Sequence, residues 1–156
     1  MVLRVLYQVL VFELGLRKED VFLDTEGLSD LHMLRSKVLS SDTLVCLLTK
    51  GYLTRPWCLI EMAEAIKNNI PLKTIFIEGA GYSFEDMAVL LKAPDAAAAL
   101  DALNPDASAT LAAEGFDAAD VFQTIGGTLP YIIAKNFDPT APLAVKKAQL
   151  ADALGL

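Results

Sequence analysis

The chain reads as an α/β protein of three layers, a parallel sheet with helices on both faces. Three observations point there. The apolar runs Val21-Phe22-Leu23, Leu44-Val45-Cys46-Leu47-Leu48 and Lys73-Thr74-Ile75-Phe76-Ile77 have the length of buried strands. Segments of helical length lie between them, and a strand–helix–strand order favours parallel β-α-β units. The composition agrees: 54% of the residues are hydrophobic and the mean hydropathy is +0.42, as a sheet covered on both faces demands.

Each element has a local reason. Residues 2–15 are apolar apart from a narrow stripe of Arg4, Gln8 and Gly15 near a helical period, which predicts a mostly buried amphipathic helix. The stretch is too short to span a bilayer and carries Arg4, Gln8 and Glu13, so membrane insertion is not expected. The strand Val21–Leu23 leads to a loop from Asp24 to Asp30 and a helix from Leu31 to Leu39. The strand Leu44–Leu48 follows, then a loop through Lys50, Gly51 and Thr54-Arg55-Pro56. A helix from Pro56 to Asn68 comes next, with Pro56 suited to its first turn and Asn68-Asn69 and Pro71 ending it. Gly79-Ala80-Gly81 closes the strand Lys73–Ile77, Phe84–Leu91 is helical, Thr128–Ala134 is expected as the final strand, and Thr140–Leu154 as the closing helix.

Between Ala93 and Asp120 the composition shifts: 12 of 28 residues are alanine and none is basic. We read this acidic insertion as a surface segment with no site of its own, against the alternatives of a lid or an extra helical pair. The whole of residues 1–156 is read as one domain.

Charge and cysteine usage exclude several functions. The net charge of −7 leaves no basic patch to neutralise phosphates, so nucleic acid is not an expected partner. Residues 93–134 alone carry −6. Cys46 in a strand and Cys58 at a helix start read as buried thiols of a reducing, cytoplasmic compartment. The single His32 excludes a multi-histidine metal site, and no Gly-x-Ser-x-Gly elbow accompanies it. Asp24, Glu26 and Asp30 fall short of a calcium loop, so no metal is expected.

The segment Thr54-Arg55-Pro56-Trp57-Cys58-Leu59-Ile60-Glu61-Met62 carries the chemistry. Trp57 and Glu61 are four residues apart, so they share a helix face just beyond a strand's end. Open α/β sheets hold ligands at that place. The bland alternatives are that Trp57 packs under the following loop and that Glu61 is a first-turn carboxylate favoured by the helix dipole. Glu64 reads as a solvated charge, and Ser40, Ser41 and Asp42 as turn residues.

An apolar strand, the turn Thr49-Lys50-Gly51-Tyr52 and then Trp57-Cys58-Leu59-Ile60-Glu61 resemble the central part of a TIR (Toll/interleukin-1 receptor) domain. The resemblance covers about residues 1–77, with the C-terminal third matching only in outline. It implies a flavodoxin-like strand order and a cytoplasmic signalling module, immune or cell-death related, that works by self-association or by recruiting other TIR domains. It also implies NAD+ as a substrate rather than a cofactor: many members cleave the nicotinamide–ribose bond with the glutamate that matches Glu61. Trp57 would then bind the substrate. Residues Thr25–Leu34 stand in place of the family's functional loop, without its Arg-x-Pro-Gly element. The family's first strand, which lies in the middle of its sheet, has no counterpart here, through truncation or because the sheet is completed another way. Two alternatives remain: a non-catalytic TIR scaffold, and an unrelated flavodoxin-like nucleotide binder. The second is weakened by Gly79-Ala80-Gly81 and Gly126-Gly127 matching no phosphate-loop fingerprint.

Overall fold

A computed structural model describes residues 2–22 and 31–156. Its sheet has three strands, β1 (Leu44–Leu48), β2 (Leu72–Ile77) and β3 (Lys135–Phe137), in the order β1-β2-β3. Both pairings are parallel, with Leu44 opposite Leu72 and Ile75 opposite Lys135. Among the described residues eight α-helices pack around it: α1 (Val2–Gln8), α2 (Leu31–Leu39), α3 (Pro56–Lys67), α4 (Phe84–Leu91), α5 (Ala96–Leu103), α6 (Ala107–Ala113), α7 (Ala118–Gly126) and α8 (Leu143–Leu154).

Strand alternation sorts the core into two clusters. Cys46 and Leu48 of β1 face α3, α4, α5, α6 and α7, where Leu59, Met62, Leu100, Leu111, Val121, Phe122 and Ile125 are buried. Leu47 of β1, Ile75 and Ile77 of β2 and Phe137 of β3 face the other way, against Leu6 and Val9 near α1 and Leu150 and Ala153 of α8. Helices therefore cover both faces, and the sequence expectation of an α/β/α sandwich with a parallel sheet holds.

Several expectations need correction. Val21 and Phe22 do not join the sheet: Val21 caps a 3-10 turn at Lys18–Asp20, and Phe22 is half exposed beneath the Lys37 ammonium. Leu23 and the loop Asp24–Asp30 lie outside the described residues. The first helix changes to π geometry over Val9–Glu13, with the Leu14 N–H reaching the Val9 carbonyl at 2.9 Å. It buries only Leu6 and Val9 fully, while Phe12 stands 67% exposed, so it is less buried than its apolar sequence suggests.

The alanine-rich segment is not a surface connection. It folds into α5, α6 and the start of α7, and Leu100 and Leu111 within it are completely buried. Ala96, Ala107 and Ala118 are buried as well, and side chains that small let neighbouring helices approach closely. Asp95 and Asp117 accept from backbone N–H groups at the starts of α5 and α7, so part of the acidic charge serves as helix caps. The last strand also falls later than expected. Thr128–Ala134 contains a 3-10 turn at Leu129–Tyr131, where Pro130 has no N–H for a ladder, and β3 begins at Lys135.

One buried polar atom lacks a partner: among the described residues, the Thr74 hydroxyl on β2 makes no hydrogen bond. Replacing it by an isosteric methyl removes the desolvation cost without opening a cavity. Thr74→Val should therefore raise the unfolding free energy by about 1 kcal/mol, measured by urea denaturation.

Candidate functional site

The C-terminal edge of the sheet is built by two loops that lock together. After β1, Gly51 takes φ of +75° and starts a 3-10 turn over Tyr52–Thr54. A Cβ on Gly51 would come 3.3 Å from the Thr54 hydroxyl, so the turn needs glycine both for conformation and for space. After β2, Gly81 has φ of +76°, and a Cβ there would meet the Lys50 side chain at 3.3 Å. The Lys50 N–H donates to the Ala80 carbonyl at 2.8 Å and joins the two loops.

Helix α3 leaves this platform with Pro56 as its first residue, as its fixed φ and missing N–H favour. Its apolar residues Leu59, Ile60, Met62, Ala63 and Ala65 are wholly buried. Trp57 and Cys58 are half-buried and pack on the same core, so the packing role for Trp57 is realised in part. Glu61 is half-buried too, and it is the sixth residue of the helix. It therefore lies in the second turn, not the first, where the helix dipole contributes little. The stripe Trp57, Glu61, Glu64, Asn68 runs at spacings of four, three and four, so these residues share one side of α3.

Glu64 is not a solvated charge. Its side chain is only 13% exposed, and Arg35 of α2 pairs with it at 2.5 Å. The Arg35 guanidinium also lies 5.2 Å from the Phe116 ring centroid, and the Lys67 ammonium 5.9 Å from it. Lys67 continues to Asp120 at 2.8 Å. Together these contacts tie α2, α3 and the start of α7 into one block. Periodicity could not reveal them, because Arg35 and Glu64 are 29 residues apart.

Two titratable side chains near Glu61, Cys46 and Tyr52, belong to the packed core. Tyr52 and Cys46 are neighbours there, and both side chains are buried. Burial pushes the Cys46 thiol up to about 12, against an ordinary 9.0, and the neighbouring Glu61 charge adds to the rise. Burial likewise raises Tyr52 well above its ordinary range, with Cys46, Cys58 and Glu61 contributing in the same direction. Tyr82 on the β2 loop rises to about 12, mainly through burial. Cys46 and Tyr52 therefore keep their protons at neutral pH, and neither serves as an ionised nucleophile there. Glu61 lies one helical turn from Trp57 on the same side of α3.

Of the loop Thr25–Leu34, residues 25–30 lie outside the described residues, while Leu31–Leu34 opens α2 with Leu34 buried. Among the described residues no group of three or more His, Cys, Asp or Glu is arranged to hold a metal ion. No helix among them is long and apolar enough to cross a membrane. An apolar depression lined by Ala88, Val89, Lys92, Ala93 and Pro94 lies along α4, and it offers no hydroxyl, thiol or carboxylate side chain.

Glu64→Ala should destabilise the fold by about 1–3 kcal/mol, because it strands a half-buried Arg35. A double-mutant cycle with Arg35→Ala, read by chemical denaturation, should return most of that loss as coupling. Stability should also fall in alkali. The folded state holds the Cys46, Tyr52 and Tyr82 protons to higher pH than the unfolded chain does. Their contribution is complete below about pH 9 and is lost as pH rises towards about 12. Thermal melts at successive pH values should show the decline, and Cys46→Ala should make it shallower.

No protein-family model matches the chain, and no curated protein matches it significantly.

Proposed function

We propose that the chain is an intracellular TIR-type signalling module that acts by self-association and hydrolyses NAD+ at the nicotinamide–ribose bond. The observation that carries it is the position of Glu61. It is a half-buried carboxylate on the same side of α3 as Trp57, on the helix that follows the C-terminal end of β1 in a parallel sheet. Open α/β sheets bind ligands at that end. The parallel order β1-β2-β3, with helices on both faces, supports the same reading.

The chemistry follows from the charge. Heterolysis of the bond between ribose C1′ and the nicotinamide nitrogen sends the electron pair to nicotinamide, which leaves neutral. Positive oxocarbenium character then develops on the ribose, and a nearby carboxylate stabilises it and accepts hydrogen bonds from the ribose hydroxyls. Water adds to C1′ and releases a proton, giving ADP-ribose. No general acid is needed for the leaving group, so one carboxylate suffices. The Trp57 ring supplies area for stacking and an N–H donor.

The test is nicotinamide release from NAD+ by the purified chain at high concentration. Glu61→Gln should abolish release, a loss on the order of 3–4 kcal/mol in the barrier. The same isosteric change should leave the cooperative fold in place, read by circular dichroism. It should also leave the mass measured by light scattering unchanged. Glu85→Ala, an exposed carboxylate on α4, is the matched control, because Glu64 anchors α2. Release by Glu61→Gln at the wild-type rate would overturn the assignment. A wild-type chain that self-associates without releasing nicotinamide would leave the scaffold alternative.

A further inference from the structure

The α5–α6 unit touches the site from a direction the sequence does not suggest. The Asn104 side-chain amide donates to the Thr54 carbonyl at 2.8 Å across 50 residues of chain. Thr54 is buried, and its carbonyl sits two residues before the first residue of α3. The turn closes on itself, the Thr54 N–H and hydroxyl both donating to the Gly51 carbonyl. The Lys50 N–H ties its start to the β2 loop, and Asn104 ties its end to the α5–α6 unit.

Asn104 is itself held in place. Its N–H donates to Leu100 at the end of α5, and its carbonyl accepts from Ala107 at the start of α6. Asp101 braces the same elbow by accepting from both the N–H and the hydroxyl of Ser108. Those bonds draw the Asp101 carboxyl below the usual carboxylate range. Leu100 and Leu111, buried on either side, seat the elbow against the core. A rigid donor thus meets a buried carbonyl at the root of the helix that bears Trp57 and Glu61.

We infer that Asn104 is a positioning residue, through which the alanine-rich helical unit sets the placement of the Thr54–Glu61 segment and hence of Trp57 and Glu61. The segment Ala93–Asp120 is then the rear support of the site. Its role in turnover rests on the NAD+ reading above, whereas its effect on the geometry of Trp57 does not.

Trp57 is the only tryptophan in the chain, so its fluorescence reports this segment alone. Asn104→Asp keeps the side chain's size but cannot donate from its ionised carboxylate, and Asn104→Ser is too short to reach. Both should shift Trp57 emission to longer wavelength and increase its quenching by acrylamide, well below the melting temperature. Asn104→Gln, which retains the amide donor, should recover part of the wild-type signal. If wild type releases nicotinamide, Asn104→Asp should lower kcat/KM about tenfold, because it misplaces both the stacking ring and the carboxylate. Wild-type emission and quenching in both donor-less variants would overturn the proposal. So would a shift that appears only in proportion to the unfolded fraction measured by circular dichroism. A wild-type chain without nicotinamide release would remove the NAD+ reading alone, and the fluorescence would still decide Asn104.

Discussion

Helix α3 has to be buried on several sides at once, and most of the fold is arranged to do that. Leu59, Ile60, Met62, Ala63 and Ala65 have no exposure at all. The large members of that set each contribute on the order of 1.5–3 kcal/mol by leaving water. The β1–β2 pair covers one side of the helix, and α2, α6 and α7 cover others. The partly polar side that remains carries Trp57, Glu61 and Glu64, and even there Glu64 is anchored to Arg35. A helix enclosed in this way holds its few polar side chains in defined positions, which is the condition a preorganised site requires.

The alanine-rich unit takes its meaning from that constraint. A segment of small apolar residues with aspartates at its turns has little core of its own. Packed against α3, it can bring Leu100 and Leu111 to full burial while its caps stay at the surface. Its acidity is spent on helix starts and on the elbow at Ser108, and one aspartate pairs with Lys67. Charge that looks like a surface field in the sequence is largely local hydrogen bonding in the fold.

The core beside Glu61 is polar but proton-retaining. Tyr52 and Cys46 are neighbours within apolar packing, and desolvation keeps both neutral. Neither side chain therefore serves as an ionised nucleophile at neutral pH.

The sequence by itself determined the elements whose signals are local. The runs Leu44–Leu48 and Lys73–Ile77, the proline start of α3 and the bounds of α4 were legible because length, periodicity and end residues act within a few positions. The four-residue spacing likewise placed Trp57 and Glu61 on one side of a helix. Only the tertiary structure decided what depends on distant partners. Phe22 is half exposed and Val21 forms no ladder, although their residue types favour a strand; β3 starts after the apolar Tyr131–Ala134. Glu64 is an anchor because Arg35 comes to it, and Asn104 reaches Thr54 because two helices seat it there. Hydrophobicity states that a residue prefers burial, but the surface that buries it and the donor that meets a stranded carbonyl are supplied by the rest of the fold.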